Sequence, residues 1–215
     1  PLDFGSKITE KFILDNGPYD YIYNFAAIKH VRSEKDIYSL LQMFDTNVLK
    51  HTKFLKFIIK NELSEGYFSV STDKAANPVS LMGASKKLME LIIHHKYSDS
   101  KIKLPTSTTR FANVAFSNGS LLESFSIRYE KAEPIPAPMG IERYFISHKE
   151  AAQICILASL EIDSGDILVP KNNSNFEIYP IIEVAKNYII SKNLYPVIVD
   201  TKKDAYEVLA NSNNN

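Results

Sequence analysis

The sequence is poor in cysteine and lacks tryptophan, and Cys155 is its single thiol. A lone cysteine has no partner for an intrachain disulfide, so a disulfide-stapled scaffold is excluded and a reducing compartment is compatible. The sequence has no excess charge, because 25 basic residues balance 25 acidic ones. It therefore offers no overall field that would attract nucleic acid or anionic lipid.

Long apolar runs are also missing. No segment approaches the roughly 20 apolar residues of a membrane span, and no charged-then-apolar leader opens the chain. Metal-ligand spacing is absent too, since His94 and His95 are adjacent on a predicted helix and project about 100° apart. We expect a cytoplasmic protein without a metal site.

The segments that are present alternate between helix and strand. Apolar spacing predicts helices over 8–13, 37–62 and 82–97, and short apolar runs predict strands within 20–27, 66–71 and 104–116. This rhythm is typical of an α/β protein with a parallel sheet. We expect an incomplete cofactor-binding portion over 1–120 and a polar tail over 209–215. Residues 121–208 are expected to form mainly a smaller and less regular lobe, with some segments returning to the sheet.

In a parallel α/β sheet, ligands bind beyond the carboxyl ends of the strands. The stretch "STDKAANPVSLMGASK", Ser71 to Lys86, follows one predicted strand and places an acid, Asp73, beside an amine, Lys74. Such a pair suits proton transfer in both directions. A surface turn whose Asp caps the next helix is the structural alternative.

Met82 and Lys86 are four residues apart on the following predicted helix, so they share one face. Five stretches, "NFAAIKHV", "TNV", "STDKAANPVSLMGASK", "TTRFANVAFSNGS" and "RYFISHKEAAQICILAS", occur in the order found in bacterial UDP-N-acetylglucosamine 4,6-dehydratases. These enzymes form the polysaccharide-biosynthesis branch of the extended short-chain dehydrogenases and reductases. The resemblance runs from about Tyr19 to beyond Ala185.

The resemblance implies a Rossmann-like doubly wound sheet with a C-terminal substrate-binding lobe. It also implies three steps on one hexose: oxidation at C4 by a tightly held NAD or NADP, loss of water across C5 and C6, and return of the hydride to C6. The substrate would be a UDP-sugar and the product a 4-keto-6-deoxy sugar nucleotide. Related proteins commonly form homo-oligomers through the two long helices of this fold.

The family's catalytic roles can be carried over residue by residue. Asp73 would protonate the departing C6 hydroxyl, Lys74 would abstract the C5 proton, and Thr72 would bind near the C4 oxygen. Lys86 would hold the nicotinamide ribose. Met82 stands where short-chain dehydrogenases usually have Tyr, and because a thioether cannot exchange a proton, the acceptor of the C4 hydroxyl proton is open among Asp73, Lys86 and water.

The resemblance also implies two sets of binding residues. The cofactor set comprises Ala26, Ala27, Lys29, Asn47, Ser71, Lys86 and Arg110. The substrate set comprises Lys29, His30, Asn113, Ser117, Gly119, Ser120 and Arg143. Structural hydrogen bonds are the alternative for His30 and Asn47, and a structural ion pair is the alternative for Arg110.

A dinucleotide site usually needs a glycine-rich turn after the first strand. The seven glycines of this sequence stand far apart and form neither G-x-x-G-x-x-G nor G-x-G-x-x-G. In the family that turn precedes the point where this sequence begins, so the 215 residues lack about half of the cofactor cradle; taken alone they are expected to show no turnover. A UDP-sugar 4-epimerase and a non-catalytic binding module are the competing functions, although neither has a use for the Asp73–Lys74 pair.

Overall fold

A computed structural model describes residues 2–29, 34, 36–98, 104–161, 165–171, 177–201 and 205–212. The chain divides into two compact units. The first contains Pro1–Ala112 and Ala151–Pro170, and the second contains Asn113–Glu150 and Lys171–Asn215.

Seven α-helices and eleven strands are assigned within the described residues. The helices are α1 (Lys7–Asn16), α2 (Ile37–Phe44), α3 (His51–Lys60), α4 (Leu81–Ser98), α5 (Leu121–Glu130), α6 (His148–Leu160) and α7 (Ile181–Ile190). The strands are β1 (Tyr19–Asn24), β2 (Ser64–Val70), β3 (Thr106–Thr109), β4 (Asn113–Val114), β5 (Ile135–Pro138), β6 (Glu142–Arg143), β7 (Phe145–Ile146), β8 (Ile167–Leu168), β9 (Tyr179–Pro180), β10 (Tyr195–Asp200) and β11 (Ala205–Asn211).

The first unit is built on a parallel sheet with strand order β1-β2-β3-β8. Asn24 pairs with Ser69, Val70 with Thr109, and Thr109 with Leu168. The carboxyl ends of the strands therefore meet at one edge, which is where ligands bind in such sheets. This confirms the predicted fold class.

The predicted long helix over 37–62 is interrupted. Helix α2 is followed by a π-helical turn, Asp45–Lys50, and then by α3, which ends at Lys60. A π-helical turn adds a residue to the helical repeat and is often found at functional sites. Asn47, one of the predicted cofactor residues, lies within it and is buried.

Helices α3 and α4 cover one face of the sheet. Their apolar side chains pack with strand residues into a core consisting of Phe54, Leu55, Ile58, Leu63, Tyr67, Met89, Ile93 and Leu104. A smaller cluster joins Phe68 of β2 to Cys155 and Ala158 of α6. Burial raises the pKa of the Cys155 thiol to about 11, which keeps it protonated near neutral pH.

The second unit is organised around the antiparallel sheet β10-β11-β5. Helices α5 and α7 supply most of its apolar core: Leu122, Phe125, Ile181, Ala185, Tyr188 and Ile189, packed with Ile135, Ala137 and Val208 of the sheet. Strand β11 continues to Asn211 because backbone hydrogen bonds to β10 do not depend on side-chain polarity, so the segment expected to be a tail from residue 209 begins as paired strand.

Among the helices of the described residues, none combines the length and the apolarity required to cross a lipid bilayer.

The first-unit core gives a test of the fold. Leu55 is 0% exposed, and replacing it with Ala leaves a cavity between α3, α4 and β2. We expect Leu55→Ala to lower the free energy of unfolding of the intact protein by about 2–5 kcal/mol, measured by urea denaturation. Leu49→Ala is the matched control, because Leu49 is 54% exposed. Equal losses in the two variants would contradict the assigned core.

Candidate active site

The carboxyl end of β2 leads directly into the predicted catalytic segment. Thr72 caps a short 3₁₀ turn, Asp73–Ala75, in extended conformation. The Thr72 hydroxyl donates a hydrogen bond to Asp73 Oδ1 at 2.8 Å, and Lys74 Nζ lies 3.3 Å from the same oxygen. The side chains of Asp73 and Lys74 are 39% and 45% exposed. An acid, an amine and a hydroxyl therefore form one accessible group at the sheet edge.

Backbone contacts fix this segment. Ser71 N–H donates to Thr109 O at 2.9 Å, and Asp73 N–H donates to Phe111 O at 3.3 Å. On the other side, a Cβ at Gly83 of α4 would lie 2.6 Å from Lys74 O, which is too close for any side chain. Glycine in "MGASK" therefore permits α4 to approach the predicted catalytic turn closely.

Lys86 lies inside the unit and is 4% exposed. Its ammonium donates to Val70 O at 3.0 Å, and the Met89 sulfur lies at 3.7 Å. Burial lowers the pKa of Lys86 to about 8, and the nearby Glu90 carboxylate partly opposes that effect. The lysine thus titrates close to neutral pH.

Met82 is 4% exposed and belongs to the buried face of α4. Its backbone N–H donates to Glu34 Oε1 at 2.9 Å, while Ser80 Oγ accepts from Gly83 N–H at 3.1 Å. Two side chains thereby satisfy N–H groups in the first turn of α4 that have no partner within the helix. No sequence pattern pointed to Glu34.

A buried carboxylate, Glu90, connects the elements of the site. It is 3% exposed and accepts from Arg110 Nε at 2.8 Å, from Arg110 Nη2 at 2.6 Å and from Ser71 Oγ at 2.6 Å. Ser71 and Arg110, both predicted to bind cofactor, are thus engaged in an internal ion-pair network, the structural alternative considered for Arg110. Glu90 was also missed, although a charged residue four positions after Lys86 among apolar helix residues is a signal for a buried ion pair.

The turn after β1 is held in a similar way. Asn47 accepts from Ile28 N–H at 2.8 Å and donates to Ile28 O at 2.9 Å and to Ser85 Oγ at 3.0 Å. Ala26 N–H donates to Asn24 Oδ1 at 3.0 Å, and Ala27 follows in the same irregular segment. Lys29 is exposed at its end, and His30 lies outside the described residues.

The predicted UDP-binding residues lie in the second unit. Asn113 on β4 donates to Tyr144 O at 3.1 Å. Ser120 caps α5 by accepting from Glu123 N–H at 3.2 Å, and Ser117 O accepts from Ser120 N–H at 2.8 Å. Gly119 has a φ of +69° and donates to the Glu123 carboxylate.

Arg143 stands apart from the α5 terminus within this unit. It lies on β6, which pairs with β9, and its Nη1 donates to Glu142 O at 2.8 Å. The structure thus gathers Ser117, Gly119 and Ser120 at one helix end and leaves the Arg143 guanidinium exposed on a separate strand pair.

Comparison with family models matches residues 7–205 to the family described as polysaccharide biosynthesis protein. The chain belongs to this polysaccharide biosynthesis protein family.

Two curated relatives of this polysaccharide biosynthesis protein have different names. The chain is 32% identical over 178 residues to "Uncharacterized membrane protein MJ1061" of Methanocaldococcus jannaschii, covering 82% of this chain and 52% of that protein. It is 33% identical over 156 residues to the UDP-glucose 4-epimerase of Rickettsia canadensis, covering 71% and 45%. The chain therefore spans about half the length of these relatives.

Solved structures show the same fold at low identity. Pen from Bacillus thuringiensis superimposes with a TM-score of 0.77 at 20% identity, covering 88% of this chain and 56% of that one. DesIV from Streptomyces venezuelae, a dTDP-glucose 4,6-dehydratase with NAD and TYD bound, gives 0.74 at 16% identity, covering 89% and 62%. This family member thus has the α/β fold of those proteins.

The Glu90 network makes a prediction about the site of this polysaccharide biosynthesis protein. Glu90→Gln keeps the size and the acceptor oxygen but leaves the Arg110 and Lys86 charges without their buried partner. We expect the free energy of unfolding to fall by roughly 3 kcal/mol and the pKa of Lys86 to drop further below its value of about 8.

Urea denaturation at pH 7 measures the first effect, and pH titration of Lys86 by NMR measures the second. Glu65→Gln, at an exposed position of β2, is the matched control. A Glu90→Gln variant as stable as that control would show that the network contributes little.

Proposed function

We propose that this chain carries the catalytic portion of a UDP-N-acetylglucosamine 4,6-dehydratase that acts in the biosynthesis of surface polysaccharide or nonulosonic acid. The observation that carries the proposal is the hydrogen-bonded group of Thr72, Asp73 and Lys74 at the carboxyl end of β2. Oxidation at C4 makes the C5 proton acidic, so elimination needs only a base at C5 and an acid at O6. An adjacent amine and carboxyl group supply both.

The residues at the sheet edge fit a nicotinamide cofactor. Lys86 has an ammonium with three donors and a single oxygen acceptor among the described residues, which leaves capacity for ribose hydroxyls. Ala26 and Ala27 offer little bulk at the turn after β1. When bound, the nicotinamide would take a hydride from C4 of the sugar and return it at C6. The pyrophosphate half of that cofactor is not assigned to residues of this chain.

Thr72 and Asp73 form the route for the C4 hydroxyl proton. The Thr72 hydroxyl donates to Asp73 Oδ1 and accepts from Lys74 N–H at 3.4 Å, which leaves one lone pair of its oxygen to accept from the sugar. The proton of the C4 hydroxyl passes to Thr72 Oγ1 as the Thr72 proton passes to Asp73. The carboxyl group of Asp73 is then protonated and ready to act as an acid.

Lys74 is the base of the elimination. Its amine takes the C5 proton, the electron pair of that C–H bond forms the C5–C6 double bond, and the C6–O bond breaks. Asp73 gives its proton to the departing oxygen, which leaves as water. Lys74 finally returns its proton to C5 when C6 receives the hydride, and both side chains end in their starting states.

The second unit would hold the UDP group through Asn113, Ser117, Gly119, Ser120 and Arg143. The exposed Arg143 guanidinium suits a phosphate oxygen. At the α5 terminus, however, the Glu123 carboxylate already accepts from Gly119 N–H. A diphosphate could bind there only if Glu123 turned away, so Arg143 is the stronger candidate.

A UDP-sugar 4-epimerase is the second candidate, favoured by the 33% identity to the Rickettsia canadensis protein of that name. Its reaction needs oxidation and reduction at C4 without elimination. The products distinguish the two functions, since only the dehydratase loses the C6 hydroxyl.

Substitution of the pair tests the proposal in the intact protein with NAD(P) and UDP-N-acetylglucosamine. We expect Asp73→Asn and Lys74→Met each to lower the rate of 4-keto-6-deoxy sugar formation at least about 10²-fold. In Lys74→Met, C4 oxidation proceeds, so reduced nicotinamide absorbance accumulates without loss of water. Lys56→Ala, on the exposed face of α3, is the control. Release of a C4 epimer by the unmodified protein would instead establish the second candidate.

We also propose that the protein forms a homodimer through α2 and α4. A groove between these helices is lined by Leu40, Leu41, Met43, Phe44, Leu81, Ala84, Ser85 and Leu88. Leu41 and Leu81 are 59% and 51% exposed, an unusual amount of apolar surface for two adjacent helices. A second copy of the chain, related by two-fold symmetry, would cover the exposed apolar residues of both helices.

Leu41→Asp should convert this dimer to a monomer in sedimentation velocity, because it places a charge at the centre of the paired surface. Ile156→Asp on α6 is the matched control, since Ile156 is 51% exposed and lies on another helix. An unmodified protein that sediments as a monomer would refute the dimer.

A further inference from the structure

His51 is a buried imidazole without an assigned role. It begins α3, one helical turn after Asn47, and is 1% exposed. Its ring packs at a centroid distance of 5.8 Å from the Tyr67 ring. Neither Nδ1 nor Nε2 has a hydrogen-bond partner among the described residues. Buried polar side-chain atoms in proteins are nearly always paired with protein or with ordered water, so His51 requires an explanation.

The imidazole is neutral under ordinary conditions. Burial, and then the positive charge of Lys86, lower the pKa of His51 to about 3. A neutral imidazole has one N–H donor and one acceptor nitrogen. His51 therefore presents an unfilled acceptor one helical turn after Asn47, whose amide donates to Ser85, the residue before Lys86.

Lys86 and Tyr67 have hydrogen-bond donors that complement the unpaired nitrogens of His51. Lys86 uses one donor on Val70 O, and Glu90, the buried carboxylate near it, is engaged by Arg110 and Ser71. The Tyr67 hydroxyl accepts from Asn24 Nδ2 at 3.1 Å, and its own proton has no acceptor among the described residues. Lys86 and Tyr67 thus each have a donor to spare, and neither of them bonds directly to the unpaired nitrogens of His51.

We propose that a buried water molecule bridges His51, Lys86 and Tyr67, and that His51 acts through it as a positioning residue for Lys86. The water accepts from the ammonium and from the Tyr67 hydroxyl and donates to the imidazole nitrogen. Three partners is the usual number for a buried water. The bridge gives the ammonium a second oxygen acceptor and restrains its direction at the end of β2.

The arrangement also links two parts of the site. Tyr67 is bonded to Asn24, whose Oδ1 holds Ala26 N–H in the turn after β1. The water, together with the side chains of Tyr67 and Asn24, would thus connect Lys86 to that turn. The importance of the bridge for catalysis rests on the proposed function, but its existence does not.

A crystal structure of the intact protein is the direct test. We expect a water oxygen about 2.7–3.2 Å from both a His51 ring nitrogen and Lys86 Nζ. A direct protein partner for both His51 nitrogens, or apolar atoms filling the space between His51 and Lys86, would overturn the proposal.

Titration of Lys86 tests the functional link without turnover. The intact protein is labelled with ¹³C at lysine Cε, and the Lys86 signal is assigned by its loss in Lys86→Arg. His51→Phe removes the acceptor and should lower the pKa of Lys86 by about one, because the charged form loses a hydrogen bond that favours it. His51→Gln retains an acceptor and should restore most of that loss.

An unchanged Lys86 titration in folded His51→Phe would refute the positioning role even if the dehydratase assay succeeded. If His51→Phe fails to fold, Tyr67→Phe replaces it, since this change removes a single hydroxyl from the bridge. It should lower the pKa of Lys86 by less than one, and no change there would also count against the bridge.

Discussion

The buried Glu90 carboxylate is the constraint on which the site depends. It binds Arg110 at the end of β3 and Ser71 at the end of β2 while belonging to α4. A carboxylate inside a protein is costly unless its partners are also in place, so the three elements adopt this arrangement together or not at all. The predicted catalytic turn, Asp73–Ala75, begins two residues after Ser71, and Lys86 lies one helical turn before Glu90. The positions of the turn and of Lys86 therefore both depend on the ion pair between Glu90 and Arg110.

This constraint divides the first-unit site into a fixed interior and an accessible edge. Lys86, Asn47 and Glu90 are each less than 5% exposed. Lys86 and Asn47 donate to backbone carbonyls, and Glu90 accepts from the side chains of Arg110 and Ser71. Asp73 and Lys74 retain more than a third of their side-chain exposure. In the proposed reaction, a group that binds a tightly held cofactor benefits from rigidity, whereas groups that exchange protons with a substrate must be accessible to it. The close contact of Gly83 with Lys74 O joins the two parts.

Sequence patterns were sufficient to predict those elements and site residues whose determinants lie close together in the sequence. Short apolar runs made β1 and β2 recognisable, although only β2 is largely buried, and the rule on strand ends located Asp73 and Lys74. The π-helical turn at Asp45–Lys50 was not recognisable, because one additional residue per turn barely alters apolar periodicity. The roles of Glu34 and Glu90 depend on partners 48 and about 20 residues away, as seen for Glu34 with Met82 and Glu90 with Arg110. Spacing within one sequence does not encode such pairs.

The proton balance of the proposed reaction explains why Met82 is acceptable where related enzymes have tyrosine. In a 4-epimerase the proton removed from the C4 hydroxyl must return to the same oxygen, which requires a group that stays beside C4 throughout. In the dehydratase that proton leaves with O6 as water, so the acceptor at C4 and the acid at O6 can be one carboxylate. Asp73, whose Oδ1 accepts from both the Thr72 hydroxyl and Lys74 Nζ, has the connections for both tasks. A buried thioether at Met82 then removes nothing that the elimination needs, and its presence favours the dehydratase over the epimerase.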